Sequence, residues 1–316
     1  MDEIFILLFS PLLRCGMKIS GPLFWIVFHG VIVILLIIDL RHYQHAEMSF
    51  RDSLKWTLIW IGVGLIFSII ILIGYGFDEF IKYMTAYITE KLLSVDNLFV
   101  FLAIFTYFAV PYNARPLVLF LGILFAIIFR GTFIFIGVTL LKTYHWMVYV
   151  FGAVLIYSGY KMAKGGAESV DPGKNKIVQL AKKFLPLTHE YEGQKFIVKR
   201  SSSRLFTPLV LTLLAIETTD IMFAFDSVPA VLAITREFFT AYTSNIMAIL
   251  GLRALYFLLE HGVRRLKNLG KGLAVYLVYL GIAFLLTAFE IDIPSWVSLV
   301  MIGSILLWAY LTSKRD

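Results

Sequence analysis

The chain has 316 residues, of which 59% are hydrophobic and only 16% charged, with a net charge of +7 and a mean hydropathy of +0.84. That is far more apolar than a soluble domain and points to a polytopic membrane protein. Cys15 is the only cysteine, which excludes an internal disulfide, a cysteine zinc cluster or an iron–sulfur centre held by this chain alone.

Taken in order, the first apolar stretch, Ile4–Leu13, is too short to cross a hydrocarbon core of about 30 Å. Asp2 and Glu3 stand where a signal peptide wants cations, so the stretch reads as retained and interfacial. Runs suited to spanning follow at Leu23–Leu40, Trp56–Tyr75, Tyr83–Val110, Leu117–Leu141, Trp146–Tyr160, Phe206–Thr235, Phe239–Leu259, Leu273–Phe289 and Trp296–Leu311. The expected fold is all-α, a bundle of about nine transmembrane helices. Alternating the loops puts 20 Lys/Arg on one side and 5 on the other, which orients the N-terminus outside and the C-terminus in the cytoplasm. The positive charge is thus a topology signal, with no nucleic-acid partner expected.

The stretch Leu213–Ala233 carries Glu217, Asp220 and Asp226 in an otherwise spanning run. Each acid costs roughly 2.5–3.5 kcal/mol at mid-membrane, so three of them point to function. Pro229 removes a backbone donor and crowds the carbonyl of Phe225, which predicts a kink or break beside Asp226. Glu90–Phe101 (EKLLSVDNLFVF) resembles this stretch: Glu90 falls on Asp220, Asp96 on Asp226 and Asn97 on Ser227, all at an offset of 130. Ala126–Phe135 (AIIFRGTFIF) then matches Ala248–Phe257 (AILGLRALYF), pairing Arg130 with Arg253.

Two repeats of three helices follow, and because three is odd the second enters the membrane from the opposite face. The expected organisation is an N-terminal part with two helices (1–82), a first repeat (83–162), a basic cytoplasmic connector (163–205), a second repeat (206–290) and a last helix with its tail (291–316). Inverted repeats with charged helices at their interface recur in secondary transporters. In the connector, Lys174–Leu185 has an amphipathic helical pattern among lysines and Phe196–Val198 could add a strand, suiting a surface that rests on anionic lipid headgroups.

Six residues turn a continuous helix by about 240°, so Asp220 and Asp226 would not share a face, whereas Glu217, Asp220 and Ser227 would, as would Glu90, Ser94 and Asn97. Either Asp96 and Asp226 point elsewhere, at Arg130 or Arg253, or the helices unwind and gather all the acids. Five acids against Arg130 and Arg253 leave a surplus of three negative charges, or two if Lys91 takes part. Such a surplus in a low dielectric must bind protons or a cation. Carboxylates with an Asn amide and a Ser hydroxyl are hard oxygen ligands, suited to magnesium, calcium or manganese rather than zinc or copper. A set of paired ions that only holds the bundle together, and a proton relay, are the competing readings; proton coupling could coexist with metal transport.

His29, inside the first run, reads as a hydrogen-bonded residue rather than a ligand, and His42, His45 and Glu47 form a weak metal pattern without a fourth ligand. An intramembrane aspartyl protease would carry Tyr-Asp and Gly-x-Gly-Asp; neither Asp96 nor Asp226 follows a tyrosine, and Phe77 intervenes between Gly76 and Asp78. With no nucleophile elbow, P-loop or zinc-protease motif, no enzyme activity is expected.

Glu90–Phe101, Ile216–Ala230 (IETTDIMFAFDSVPA) and Thr243–Leu258 (TSNIMAILGLRALYFL) resemble the TerC family of bacterial and plastid membrane proteins. The resemblance implies a multi-pass protein of the bacterial inner membrane with a role in metal-ion homeostasis. Members are linked to manganese export, some to tellurite resistance, and the plastid branch to assembly of thylakoid proteins. It carries over the acidic motif positions Glu90, Asp96, Asn97, Asp220, Asp226 and Ser227, the expected metal positions, while the charge count makes Arg130, Arg253 and Glu217 their expected charge partners. The expectation is a transporter exporting Mn2+ as substrate, with no tightly bound cofactor; the alternatives are a non-transporting scaffold or insertion factor, or a tellurite-resistance component.

Overall fold

The computed structural model describes residues 21–42, 49–164, 172–200, 203–261 and 269–313. Ile4–Leu13, Cys15, His45 and Glu47, and the side chain of His42, lie outside the described residues. The protein is an all-α polytopic bundle with one small hairpin. Its first compact unit contains α1 (Pro22–His42), where His29 Nδ1 lies 2.8 Å from the Trp25 carbonyl oxygen within the helix.

The second unit holds α2 (Phe50–Tyr75), α3 (Phe77–Tyr107), α4 (Arg115–Thr143), α5 (Met147–Ala163), α6 (Lys176–Phe184), β1 (Ile197–Arg200), β2 (Ser203–Phe206), α7 (Pro208–Ile234), α8 (Phe238–Ile249), α9 (Leu252–Glu260), α10 (Leu269–Leu286) and α11 (Ser295–Ser313). Six stretches of the described chain are long and apolar enough to cross a bilayer: α1, α2, α4 with the turn before it, α7, α8 with α9, and α10 with the turn after it. Two shorter apolar helices, at Met147–Ala163 and Ser295–Ala309, accompany them. Large apolar side chains such as Leu58, Ile66, Phe135, Phe225 and Leu307 face outward, as a lipid solvent demands.

Local signals set the ends. Ser49 caps α2 by accepting from the Asp52 amide at 3.2 Å, and Gly76, at φ +86°, turns the chain into α3. After α3, Ala109 takes a left-handed φ of 49° and Pro111 follows.

Three helix pairs run antiparallel. The start of α3 and the end of α7 meet at one end of the bundle. Arg115 at the start of α4 pairs with Glu260 at the end of α9, and Gly131 faces Tyr242 of α8. Gly152 of α5 lies against Gly281 of α10, and Gly159 against the carbonyl of Ala274; side chains at these glycines would collide with the facing helix, so the two backbones touch.

Two expectations need correction. The break expected as one alternative at Pro229 does not occur: α7 runs unbroken from Pro208 to Ile234 with Pro229 buried, and one missing hydrogen bond in a long, packed membrane helix is tolerated. The break lies instead in the run expected as one span, Phe239–Leu259, between α8 and α9. Ala126 to Arg130 is four steps and Ala248 to Arg253 is five, so pairing the arginines leaves one residue over. The chain takes up that residue at Leu250–Gly251, where Gly251 adopts φ +78° with Trp60 packed against it. Lys91 of α3 donates from its Nζ to the carbonyls of Ala248 (2.9 Å) and Leu250 (3.0 Å), acceptors the break would otherwise leave bare.

In the connector, the lysine-rich pattern forms α6, capped by Asn175, whose side chain accepts from the amides of Ile177 and Val178. The Asn175 amide nitrogen donates to Thr218 of α7 at 2.6 Å. The expected strand forms β1, paired with β2 in register Ile197 to Phe206. Beside the hairpin, Tyr191 donates to the Phe108 carbonyl (2.6 Å) and Gln194 to the Asn113 carbonyl (2.7 Å), fastening the connector to the turn between α3 and α4.

Candidate functional site

The six expected metal positions divide into two environments. On α3 and α7, which stay helical, Glu90, Ser94, Asp220 and Ser227 point to one centre, the fully buried guanidinium of Arg130 from α4. Arg130 Nη1 pairs with Glu90 Oε1, and Nη2 donates to Asp220 Oδ1 at 3.2 Å. Nη1 also lies 3.4 Å from Ser227 Oγ, and Ser94 donates to Glu90 at 3.4 Å. One guanidinium thus holds one acid from each half; its planar fork of donors suits two acceptors at once. Glu217 is buried one turn before Asp220, beside Gly122, and neither of its carboxylate oxygens has a hydrogen-bond partner. Arg253 is fully buried in α9.

Asp96 and Asp226 lie about 240° round their helices from Glu90 and Asp220. With Asn97 and Ser227 they line a cavity of about 280 Å³ whose remaining wall includes Ser158 and Lys161 of α5 and Met222 of α7. Ser158 donates to Asp226 Oδ1 at 2.5 Å. Lys161 and Met162 belong to the last turn of α5, so this edge of the cavity lies where the chain leaves for the connector. Two carboxylates, a carboxamide and hydroxyls make the lining a set of oxygen donors for a hard cation. Among the described residues, no group of three or more His, Cys, Asp or Glu side chains converges as a metal cage would, so Glu90 and Asp220 belong to the arginine cluster and not to the cavity.

A second cavity of about 630 Å³ opens at the other end of α3 and α7, lined by Asp78, Lys82, Arg236, Glu237 and Asp292 among others. Between the two, α7 presents the buried apolar residues Val228, Ala230 and Val231.

Sequence reasoning missed Ser158 and Lys161. Lys161 counted only as a loop charge, although Ser158 and Lys161, three apart in the apolar run LIYSGYKMA, would share a helix face. It also gave Lys91 no structural part.

The fold and the acid-lined cavity define a multi-pass integral membrane protein with a polar site inside its bundle. Residues 75–316 match the integral membrane protein TerC family, and the chain belongs to that family. It is similar to an uncharacterized membrane protein of Myxococcus xanthus, 36% identical over 291 residues that cover 92% of this chain and 91% of the relative. An uncharacterized membrane protein of Rickettsia felis is 38% identical over 291 residues, 92% of this chain and 96% of the relative. A protein of Photorhabdus laumondii named "Putative membrane-bound redox modulator Alx" is 36% identical over 300 residues, 92% of this chain and 93% of the relative. No solved structure matches the chain.

Proposed function

We propose that the protein is an inner-membrane transporter that exports a divalent cation, with manganese the expected substrate, through the Asp96–Asp226 cavity. The observation that carries this reading is the cavity itself: an acid and a neutral oxygen donor from each half, at matched positions 130 residues apart, face one space inside the bundle. Asp96, Asn97, Asp226 and Ser227 are the ion's ligands here, with Ser158 added from α5. Glu90 and Asp220 act one step back, holding Arg130 and through it the two helices that carry the ligands.

Nine spans in two inverted halves fit this role. Counting α3 and the two shorter apolar helices beside the six long stretches gives nine. The antiparallel run of α3 against α7, α4 against α8 and α9, and α5 against α10 is the relation that inversion of one half produces. Placing the lysine-rich connector in the cytoplasm makes the smaller cavity the side of entry and the larger one the side of exit, with Val228, Ala230 and Val231 between them. Proton coupling is compatible with such a site, since carboxylates that take the ion also take protons.

The name of the Photorhabdus relative speaks of redox modulation. With a single cysteine, this chain has no dithiol couple of its own, and export of a redox-active metal is the route by which it would act on redox state.

Asp96→Asn and Asp226→Asn test the reading in proteoliposomes loaded with manganese. Each removes one charge and one anionic ligand at nearly constant volume, so efflux should fall roughly tenfold or more at unchanged protein level. Efflux at the wild-type rate in both variants overturns the assignment of the site; absence of flux in the wild type overturns transport and favours a scaffold.

A further inference from the structure

An amphipathic helix ordinarily spends its apolar face on its own protein, and α6 spends little of it there. Val178 is fully buried, but Ile177, Leu180 and Phe184, spaced i, i+3 and i+7 on one side of the helix, are 50%, 58% and 70% exposed. The helix is nevertheless held close against the spanning helices. Asn175 donates to Thr218 well inside α7, and Lys182 Nζ lies 5.9 and 5.7 Å from the ring centres of Tyr107 and Phe108, where α3 ends. Lys176 and Lys183, both exposed and themselves seven residues apart, run along the border of the uncovered face. A helix fastened beside membrane spans, apolar on its outward side and bordered by lysines, has the make-up of one that lies in the plane of a membrane surface.

We propose that α6 is an in-plane anchor: Ile177, Leu180 and Phe184 dip below the headgroups of the bilayer that the protein spans, while Lys176 and Lys183 engage the phosphates of anionic phospholipids. The sequence pattern alone suits a basic surface resting on headgroups; three large uncovered apolar side chains take the contact into the acyl layer. Lysine stems can lie along that apolar surface with the ammonium kept among the headgroups. A second copy of the chain fits the face poorly. Three side chains on a nine-residue helix fall far short of the about 800 Å² per partner that a stable protein interface buries, and a lysine border repels its own copy while it attracts phosphate. The surface is separate from the Asp96–Asp226 cavity and stands whether or not the protein moves an ion.

Spin labels on single cysteines test this in the full-length protein carrying Cys15→Ser, reconstituted in vesicles of phosphatidylcholine with or without phosphatidylglycerol. Leu180→Cys and Phe184→Cys each replace an exposed side chain, so both variants should fold, and Gln179→Cys, exposed on another side of the helix, is the aqueous reference. With phosphatidylglycerol present, the ratio of collisions with oxygen to collisions with a water-soluble nickel chelate should be about threefold or more higher at 180 and 184 than at 179. Combining Lys176→Gln with Lys183→Gln, or omitting phosphatidylglycerol, should lower that ratio about twofold or more. Nickel access at 180 and 184 equal to that at 179 would place the face in water and overturn the proposal. Labels shielded from both reagents would mean that protein covers the face, which overturns it equally. A ratio that ignores both the lysines and the lipid charge would overturn the assignment to anionic lipid.

Discussion

Glu90 and Asp220 end in a dry knot around Arg130, whereas Asp96 and Asp226, six residues further along the same two helices, line a cavity with hydroxyls, an amide and an exposed lysine. Carboxylates six residues apart on the same helices therefore meet two opposite demands. In the knot two carboxylates share one fixed guanidinium, which leaves one negative charge over and Glu90 Oε2 and Asp220 Oδ2 without hydrogen-bond partners. In the cavity the carboxylates face space that a cation can enter. What separates the two is helix phase: six residues on an unbroken helix turn the second acid away from the arginine that takes the first.

The comparison is broken most directly at Arg130. Arg130→Leu strips the only described guanidinium contact from Glu90 and Asp220 and leaves two buried carboxylates facing each other, a loss of about 3–5 kcal/mol. Thermal unfolding of the purified protein in detergent should show the largest destabilisation of any variant named here. If Arg130→Leu melts like wild type, the knot is no structural element. The next effect belongs to Gly251→Ala, which forces φ +78° on a residue with a Cβ and drives that Cβ into Trp60; about 2–3 kcal/mol is expected, by the same measurement. Lys91→Met leaves the carbonyls of Ala248 and Leu250 without their donor at about 1–2 kcal/mol, and hydrogen exchange should rise locally between α8 and α9.

Smallest is the exposed pair of the connector. Arg200 hydrogen-bonds Glu190 at 2.8 Å and holds its carboxyl below the ordinary carboxylate value. A depressed carboxyl stabilises the folded state above its unfolded value and loses that contribution as pH falls through the folded one, so any effect is confined to acid. At neutral pH, Glu190→Gln should leave the melting temperature within error of wild type, because an exposed pair is screened by solvent. A clear drop would show the connector bonded more tightly than its exposure implies.

Much of the knot could be read from residue spacing. Asp220 with Ser227, and Glu90 with Ser94, fall on shared helix faces, and those are the groups that gather at Arg130. The choice of one arginine for both acids was not legible, because the repeat suggests one arginine to each half, while a guanidinium fork can serve two carboxylates. The break expected at Pro229 is missing for a different reason: a proline's missing hydrogen bond is a local signal, and the packing that buries Pro229 keeps the helix continuous. Gly251 carried the opposite clue, a glycine at the place where the second copy has one residue too many. Lys161 was hidden by its neighbours in sequence, since a lysine beside a basic loop is counted with the loop until the third dimension shows the cavity it borders.

The connector is bonded at both ends to different halves: Tyr191 and Gln194 hold the turn between α3 and α4, and Asn175 holds Thr218 on α7. It is therefore a strap as well as a link, shorter in space than in sequence. Sliding of α7 past α3 and α4 would load that strap, with the Asn175–Thr218 hydrogen bond among the contacts it pulls on. The connector thus touches α7 at Thr218, next to the unpartnered Glu217 and two residues from Asp220, which puts this side-chain bond to that helix within a turn of the charge knot.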